Sequence, residues 1–591
     1  MDDIARKLEK IRSLMRSTGI DAWIVNGSDP HASEYVAPRW RTRAWLSGFT
    51  GSAGTIVVTS ESALLWVDSR YYIQGAQQIE GSPFTLMKLD SPGVPDHVQY
   101  LVNTLAPESK VGIDGSCMTV SASRMLESAL VPKGIALVDT PDWFDVAWTD
   151  RPAVPEGRVT VMDSTVAGEH VQGKLMRIRE MLRTAGCTHT IVSSLDDIAW
   201  ALNLRGNDVA FNPVFLSYLV IGPNQAILFS DSHRFAPEVS KALEGIVTIR
   251  PYQEFHVGLL TLFHDDDVLY ISPEKTTIRT KASLPASLAT VEGRDITTTL
   301  KARKSPLEIE GMRRAHLLDG IAMVKLLAHL SRSAENYTEL SIAAKLESFR
   351  SESREYLGPS FSPIAGFGPH GALAHYSANE DSDVALVGDS LLVLDSGGQY
   401  RTGTTDITRT LAFGEPSRQM ITDYTLVLKG NLALASQRFP AGTCGYQLDV
   451  LARQFLWQSG FNYGHGTGHG IGFCLNVHEG PQNISPKPVV VAIEEGMIIS
   501  DEPGIYREGS HGVRIENLIV AQHAAKTEFG TFLAFDVLTL CPFERRLIDK
   551  TLLTESERQM VDAYHGWVYS ELREYLEEED AAWLRAATLP L

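Results

Sequence analysis

One pattern of apolar and polar positions occurs twice in this chain of 591 residues. Apolar residues at helical spacing, then a glycine, then a short apolar run lie at 8–25 and recur at 175–192, 167 residues further on. The glycine is a helix C-cap signal, and the apolar run after it predicts a buried strand. A following Ala-Trp pair recurs after only 155 residues (44–45, 199–200), so 167 − 155 = 12 extra residues are expected in the first copy, in the loop 31–42. The sequence predicts two successive α/β domains of similar build.

The remainder of the chain predicts a third domain in which helices alternate with acid-bearing strands. Ser305-Pro306 is a helix-start signal for a long amphipathic helix to about residue 330. Further helices are predicted at 338–354, 419–437 and 446–459, and a helical end piece from residue 554. With a proline-rich linker at 150–157, the expected domains are 1–152, 153–302 and 303–591.

Composition and charge exclude several classes of partner. The chain has 72 acidic and 53 basic side chains, a net charge of −19, which disfavours nucleic acid and anionic membranes. Its five cysteines are widely spaced without a CxxC motif, so neither a disulfide framework nor a thiolate zinc site is indicated. The N-terminus is charged where a signal peptide is apolar, and no run reaches the roughly 18 apolar residues of a membrane span. We therefore expect a cytoplasmic protein.

Candidate chemistry is concentrated at 391–518. Asp395 ends an apolar run, and Asp406 follows a glycine-rich segment that predicts a hairpin. If the turn is centred between Tyr400 and Arg401, the two aspartates lie opposite each other with Cβ atoms about 5 Å apart. Two such carboxylates repel each other, so we expect cations to neutralise them.

Further metal-ligand types follow in the same stretch. His465 and His469 are four apart, but the five glycines around them exclude the helical zinc-protease arrangement, so the backbone is expected to be extended or looped. Glu502 follows an apolar run, and Glu516 precedes another, which predicts a second acid-bearing strand pair around a glycine-rich turn. A site of four carboxylates and one of the histidines would offer mostly oxygen ligands, which favour a hard or borderline metal ion. Manganese is therefore preferred, with cobalt, zinc and iron as alternatives.

Five residues, in this order and in these motifs, resemble the ligands of the pita-bread metallopeptidases, the family of methionyl aminopeptidase, prolidase and aminopeptidase P. They are Asp395, Asp406, His469, Glu502 and Glu516. Within the family, nearly the whole chain is similar to the three-domain, cytosolic Xaa-Pro aminopeptidases. That similarity also includes GFTGSAGT at 48–55, DSRYY at 68–72, AWALNLRG at 199–206, EGMRRAH at 310–316 and HEGP at 478–481. The resemblance implies two creatinase-like α/β N-terminal domains followed by a pita-bread catalytic domain, an α/β (α+β) protein.

The resemblance also implies the metal ligands. Asp406 and Glu516 would bridge two divalent ions, Asp395 would complete one coordination sphere, and His469 with Glu502 would complete the other. Four carboxylates balance the +4 charge of two such ions, and the ions lower the pKa of a bridging water toward neutrality. Glu502 is expected to act as a proton shuttle as well.

Three further histidines match the family's substrate positions, and two more residues are expected to support the carboxylates. His375 and His465 resemble histidines that hold the substrate around the scissile bond, and His478 resembles the donor to the oxyanion of the tetrahedral intermediate. Arg514 lies two residues before Glu516, on the same strand face, and is expected to orient the carboxylates. Tyr506 is expected to do the same.

The implied activity is removal of the N-terminal residue from peptides with proline second, by attack of a metal-bridging hydroxide on the Xaa-Pro bond. An Xaa-Pro bond lacks an N–H and has a fixed ring, so it needs a dedicated enzyme. The resemblance further implies a homodimer. Two alternatives remain: a prolidase restricted to Xaa-Pro dipeptides, which the length disfavours, and a non-catalytic peptide-binding protein on the same fold, which retention of all five ligands disfavours.

Overall fold

The structure, a computed structural model, describes residues 3–89, 91, 93–333 and 337–591. The chain divides into two compact units, one of residues 1–164 and 169–297 and the other of residues 165–168 and 298–591. Met1 and Asp2, part of the charged N-terminus, lie outside the described residues. In the described part of the chain, no helix has both the length and the apolar character needed to cross a membrane.

The first half of the first unit is a mixed sheet with helices on both faces. Its elements are α1 (Asp3–Thr18), β1 (Ala22–Val25), α2 (Thr42–Ser47), β2 (Thr55–Thr59), β3 (Ala63–Val67), α3 (Tyr72–Gln78), β4 (Thr85–Lys88), α4 (His97–Thr104), β5 (Lys110–Asp114), α5 (Val120–Leu130), β6 (Ala136–Thr140) and α6 (Phe144–Ala147). The strand order is β4-β3-β2-β1-β5-β6. Trp23 and Val25 pack with Leu8 of α1, whereas Ala22 and Ile24 pack with Leu101 of α4. Because both faces are covered, β1 is apolar throughout rather than alternating.

The second half of this unit repeats the same plan. Its elements are β7 (Thr160–Val161), α8 (Val171–Thr184), β8 (His189–Val192), α9 (Leu195–Ala201), β9 (Leu204–Arg205), β10 (Tyr218–Ile221), β11 (Ala226–Phe229), α10 (Pro237–Leu243), β12 (Thr248–Arg250), α11 (Phe255–Leu262), β13 (Val268–Ile271), α12 (Ile278–Ala282) and β14 (Ala289–Glu292). Two helices that begin in this part of the chain, α7 (Ser164–Ala167) and α13 (Ile296–Ala302), belong mostly to the second unit. The sheet order is β12-β11-β10-β8-β13-β14.

The predicted repeat is confirmed by these elements. Helix α1 leads into β1, and α8 leads into β8. Gly19 and Gly186, which follow the two helices, have φ values of 66° and 70°, the left-handed conformation expected of a C-cap glycine. The extra residues of the first copy lie between β1 and α2, at 26–41, where the second copy has only 193–194 between β8 and α9.

The helices of the second unit follow the predicted ones closely. They are α14 (Pro306–Ser333), α15 (Glu339–Arg350), α16 (Arg418–Ala435), α17 (Gly445–Gln458), α18 (Glu555–Leu572) and α19 (Glu578–Ala587). Pro306 is the first residue of α14, where its missing N–H costs no hydrogen bond. Thr338 caps α15 through a reciprocal bond with Ser341.

The strands of the second unit form four small sheets. They are β15 (Tyr356–Pro359), β16 (Ile364–Phe367), β17 (Ser390–Ser396), β18 (Gly398–Tyr400), β19 (Gly403–Thr404), β20 (Ile407–Phe413), β21 (Arg438–Pro440), β22 (Gly468–Gly470), β23 (Glu479–Ile484), β24 (Ile498–Asp501), β25 (Gly504–Arg507), β26 (His511–Arg514), β27 (Asn517–Thr527) and β28 (Gly530–Val537). The sheets have the orders β21-β28-β27-β24-β22-β23, β16-β17-β20, β15-β18-β19 and β25-β26. The second predicted strand pair is confirmed, since β24 pairs with β27 and β25 with β26.

The predicted register of the first hairpin is wrong. Asp395 lies opposite Thr408, not Asp406, and the turn is centred between Arg401 and Thr402, since Tyr400 pairs with Gly403. The glycines that suggested the turn serve close packing instead, because a Cβ on Gly397 would collide with the Thr405 carbonyl oxygen. Asp406 lies in the short segment between β19 and β20.

Candidate active site

The five residues expected to bind metal come from separate elements of the second unit. Asp395 is on β17 and Asp406 directly precedes β20, while His469 is on β22. Glu502 directly follows β24, and Glu516 lies between β26 and β27. One ligand atom each from Asp406, His469 and Glu516 lie within 4.8 Å of one another. The His469 Nε2 atom is 3.5 Å from Asp406 Oδ2 and 3.7 Å from Glu502 Oε1, so these four side chains converge on one point.

Asp395 is linked to the same group through Arg514. The Arg514 guanidinium donates to Asp395 Oδ2 at 2.6 Å and to Thr408 Oγ1 at 3.2 Å. Thr408 in turn donates to Glu516 Oε2 at 2.8 Å. Arg514 therefore contacts Asp395 directly and is connected to Glu516 through Thr408. The shared strand face expected for Arg514 and Glu516 is not present, because β26 ends at Arg514 and Glu516 lies between β26 and β27.

The hydrogen bonds of His469 select the tautomer suited to a metal ligand. Its Nδ1 lies 3.0 Å from the Gly470 carbonyl oxygen, which can only accept, so Nδ1 carries the proton. Nε2, which faces the carboxylates, is then the ring nitrogen that would coordinate a metal. The backbone N–H of His469 donates to Ser500 Oγ at 2.9 Å, which fixes β22 against β24.

The burial and mutual repulsion of the carboxylates favour the binding of cations between them. Burial, with repulsion from Asp406, raises the pKa of Asp395 to about 6 against the pull of Arg514. Burial raises the pKa of Glu502 to about 7 and that of Glu516 well above its ordinary value. Asp395 Oδ1 and Glu516 Oε1 are buried and accept no hydrogen bond from any described residue. Buried carboxylate oxygens of this kind, with one imidazole nitrogen, fit two divalent cations.

Two of the three predicted substrate histidines lie beside this group. The ring of His478 is perpendicular to that of His469, with centroids 4.3 Å apart. His465 Nε2 lies 2.8 Å from the Tyr506 hydroxyl, which accepts from Arg514 at 2.7 Å. His465 is thus connected to Asp395 through Tyr506 and Arg514. Burial raises the pKa of Tyr506 to about 12, so its hydroxyl keeps its proton.

His375 lies in a turn after the 3₁₀-helix Gly368–Ala372. The backbone of Gly371 in that helix is in close contact with Gly512 of β26, the strand that ends at Arg514. The turn is held by Glu339, which accepts from the Tyr376 hydroxyl at 2.7 Å and pairs with His370 at 2.9 Å. The approach of His375 to a substrate remains a prediction.

Sequence reasoning missed three residues around the site. Thr408 connects Arg514 to Glu516, and Arg409 donates to the Glu516 carbonyl oxygen at 2.7 Å. In the sequence, Thr408 and Arg409 belong to three polar residues in succession, 408–410. The structure shows that the strand containing them is buried throughout. Asp501 has two buried oxygens that accept no hydrogen bond from any residue described, and burial beside Glu502 raises its pKa well above the ordinary value. No pattern in the sequence distinguishes it from a strand-end acid.

Comparison with protein families covers nearly all of the chain. The model of metallopeptidase family M24 matches residues 310–523, and that of the C-terminal region of peptidase M24 matches residues 531–591. Two models of the creatinase/prolidase N-terminal domain match residues 7–147 and 150–308.

Individual relatives match over the full length. A protein of Paracoccidioides brasiliensis named probable Xaa-Pro aminopeptidase P is 37% identical over 620 residues, covering 100% of this chain and 99% of the relative. A protein of the same name from Coprinopsis cinerea is 36% identical with the same coverage. Among solved structures, the X-prolyl aminopeptidase of Caenorhabditis elegans, described as a cytosolic enzyme with a di-nuclear active site, is 33% identical, with a TM-score of 0.94 and full coverage of both chains.

Proposed function

The chain belongs to metallopeptidase family M24, and from that premise we propose that it is a metal-dependent aminopeptidase that releases the N-terminal residue from peptides with proline in the second position. The observation that carries the proposal is the convergence of Asp406, His469, Glu502 and Glu516, to which Asp395 is linked through Arg514. The full-length similarity to proteins named Xaa-Pro aminopeptidase adds the substrate class.

Asp395, Asp406, His469, Glu502 and Glu516 would hold two divalent ions. When bound, such ions would supply positive charge that neutralises the carboxylates and would lower the pKa of a coordinated water. We propose manganese as the metal, because oxygen ligands with a single imidazole suit a hard or borderline ion.

The chain's own residues would handle protons and position the substrate. Glu502 would accept a proton from the attacking water and pass it to the imide nitrogen of proline, which has no proton of its own. His478, beside His469, would donate a hydrogen bond to the carbonyl oxygen as negative charge develops there. His375 and His465 would hold the peptide around the scissile bond, and Arg514 with Tyr506 would keep the carboxylates and His465 in place.

We also propose a cytoplasmic homodimer with peptide substrates. The cytoplasmic location is supported by the description of the Caenorhabditis elegans enzyme as cytosolic and by the cysteine pattern. The dimer rests on the resemblance to the three-domain aminopeptidases. The domain ranges 1–152, 153–302 and 303–591 likewise remain proposals.

Activity on paired substrates tests the proposal. The protein is stripped with a chelator, reloaded with Mn²⁺, and assayed on a tripeptide Xaa-Pro-Yaa and on the dipeptide Xaa-Pro. We expect release of the first residue from the tripeptide only after metal is restored. Cleavage of the dipeptide alone would assign a prolidase, and turnover of neither peptide would overturn an enzymatic function.

A further inference from the structure

A buried cluster of three charged side chains lies directly behind His478. Glu479 has a side chain that is 0% exposed, and its two carboxylate oxygens pair with Lys301 and Lys304, whose side chains are 2% and 0% exposed. The Lys301 Nζ atom is 2.7 Å from Glu479 Oε2, and Lys304 Nζ pairs with Oε1. We call these three residues the Glu479 cluster. It lies outside the group of carboxylates that would bind metal.

The backbone of Glu479 is fixed as firmly as its side chain. Glu479 is the first residue of β23 and pairs with Gly470 of β22, the residue after His469. A Cβ on Gly470 would collide with the Glu479 carbonyl oxygen, so the two strands approach closely at this point. The spacing between His469 and His478 therefore depends on where Glu479 is held.

His478 lies in a bend that leads directly into β23, and Glu479 is the first residue of that strand. His478 directly precedes Glu479 and faces His469, while the Glu479 side chain faces the two lysines. The ion pairs hold the Glu479 side chain against the two lysines. They consequently also fix the orientation of the adjoining backbone, which directs the His478 ring toward His469.

The lysines belong to a segment that is itself anchored to the site. The backbone N–H of Lys304 donates to the Gly496 carbonyl oxygen at 2.9 Å, and Arg303 forms a β-bridge with Met497. Met497 immediately precedes β24, and Glu502 directly follows that strand. Residues 301–304 therefore connect β23, which begins directly after His478, with β24, which ends directly before Glu502.

The energetics favour a role in orientation over one in stability. Removing three charges from water costs several kcal/mol for each ion, and well-packed apolar residues at such positions are often equally stable or more so. What a fully paired cluster adds is a single arrangement of the groups it holds.

We propose that Lys301, Lys304 and Glu479 position His478 for its hydrogen bond to the substrate carbonyl. The inference rests on the proposed function and adds three positioning residues to it. None of the three is a catalytic residue, since each acts through the backbone at 478–479.

The first test is Glu479→Gln, which keeps the shape of the side chain and removes its charge. We expect kcat on Xaa-Pro-Yaa to fall about ten- to a hundredfold, as for a misplaced catalytic group, with KM and metal content unchanged. Arg303→Met is the matched control, because Arg303 lies in the same segment but its ion pair with Glu494 is 41% and 46% exposed; its kcat should stay within about twofold of wild type. An unchanged kcat in Glu479→Gln overturns the proposal.

The second test asks whether the effect acts through His478. In a His478→Ala background, adding Glu479→Gln should lower kcat by less than about twofold, because there is no imidazole left to position. Losses that multiply would show that the cluster acts elsewhere. Wild-type protein that cleaves no Xaa-Pro-Yaa would refute the proposed function, whereas cleavage with multiplying losses would refute only the positioning role.

The third test removes all three charges, in case Glu479→Gln does not fold with two buried lysines uncompensated. The triple variant Lys301→Met/Lys304→Met/Glu479→Met replaces the cluster by apolar side chains and is expected to fold with its metals bound. Its kcat should remain reduced at unchanged KM. A folded triple variant with wild-type kcat overturns the proposal.

Discussion

The protein stripped of metal is expected to become less stable as pH rises, because the site then holds several buried carboxylates without cations. The pKa of Glu502 is raised from 4.5 to about 7 and that of Asp395 from 3.8 to about 6. An acid whose pKa is higher in the folded state binds more protons there than in the unfolded chain, so stability falls as pH rises between the two values. His469 acts in the same direction: burial opposes its charge, but Asp406 and Glu502 raise its pKa to about 9. The stability gained from its charge is complete below 6.5 and is lost as pH rises through 9.

The magnitude follows from these pKa values. Between about pH 5 and about pH 8, Glu502 accounts for about 2.5 kcal/mol, Asp395 for about 1.5 and His469 for about 2, at 1.36 kcal/mol per pKa unit. Because protonating one carboxylate relieves repulsion on the others, we expect about 3–6 kcal/mol in total rather than the full sum. For a unit of about 300 residues the entropy of unfolding is about 0.6 kcal/mol/K, so Tm should fall by about 5–10 °C.

Calorimetry of chelated protein at the two pH values measures this fall, and Glu502→Gln separates the site from the rest of the chain. The variant has no ionisable group at 502, so its Tm should fall by about 4 °C less than that of the wild type. Restoring metal should remove most of the dependence, because cations bind the ionised carboxylates of the folded state. A chelated wild type whose Tm falls no more than that of Glu502→Gln would refute the electrostatic reasoning.

Three further predictions concern the proposed function. Asp406→Asn should abolish activity and reduce bound metal below two per chain while the protein stays folded, because it removes a metal-binding carboxylate and leaves the apolar packing of β17 and β20 intact. Near-normal turnover with two metals by elemental analysis would contradict the ligand assignment. His478→Ala should lower kcat about a hundredfold or more at two metals per chain, the loss expected of an oxyanion donor, whereas a change in KM alone would assign it to ground-state binding. N-blocked Xaa-Pro peptides should not be cleaved and the protein should sediment as a homodimer; a monomer in sedimentation equilibrium, or cleavage of blocked peptides by mass spectrometry, would contradict these points.

Much of the fold could be predicted because its signals are local. The apolar spacing and the C-cap glycines of α1 and α8 lie within about twenty residues of the strands they precede, and Ser305-Pro306 marks the start of α14 without reference to any other element. The register of β17 on β20 was mispredicted because glycine has two uses that look alike in a sequence. Gly397 and Gly403 suggested a turn, but each leaves room for a neighbouring backbone or side chain.

The candidate site contains two kinds of residue: those whose type is restricted by metal chemistry, and those whose role depends on packing in the fold. A metal restricts its ligands to a few residue types, so the resemblance to a metallopeptidase family could point to Asp395, Asp406, His469, Glu502 and Glu516 as a set.

The residues that hold those ligands carry no such restriction. In the sequence, Thr408 cannot be distinguished from any other strand threonine. Its role depends on Arg514 and Glu516, which lie more than a hundred residues away in the chain and contact it only in the folded protein. Lys301 and Glu479 are 178 residues apart, and nothing local in either sequence context indicates that they pair. A sequence can thus indicate which atoms would contact a metal well before it indicates what keeps those atoms in place. The Glu479 cluster falls in the second category, which is why its variants, rather than those of the ligands, test what the three-dimensional arrangement adds.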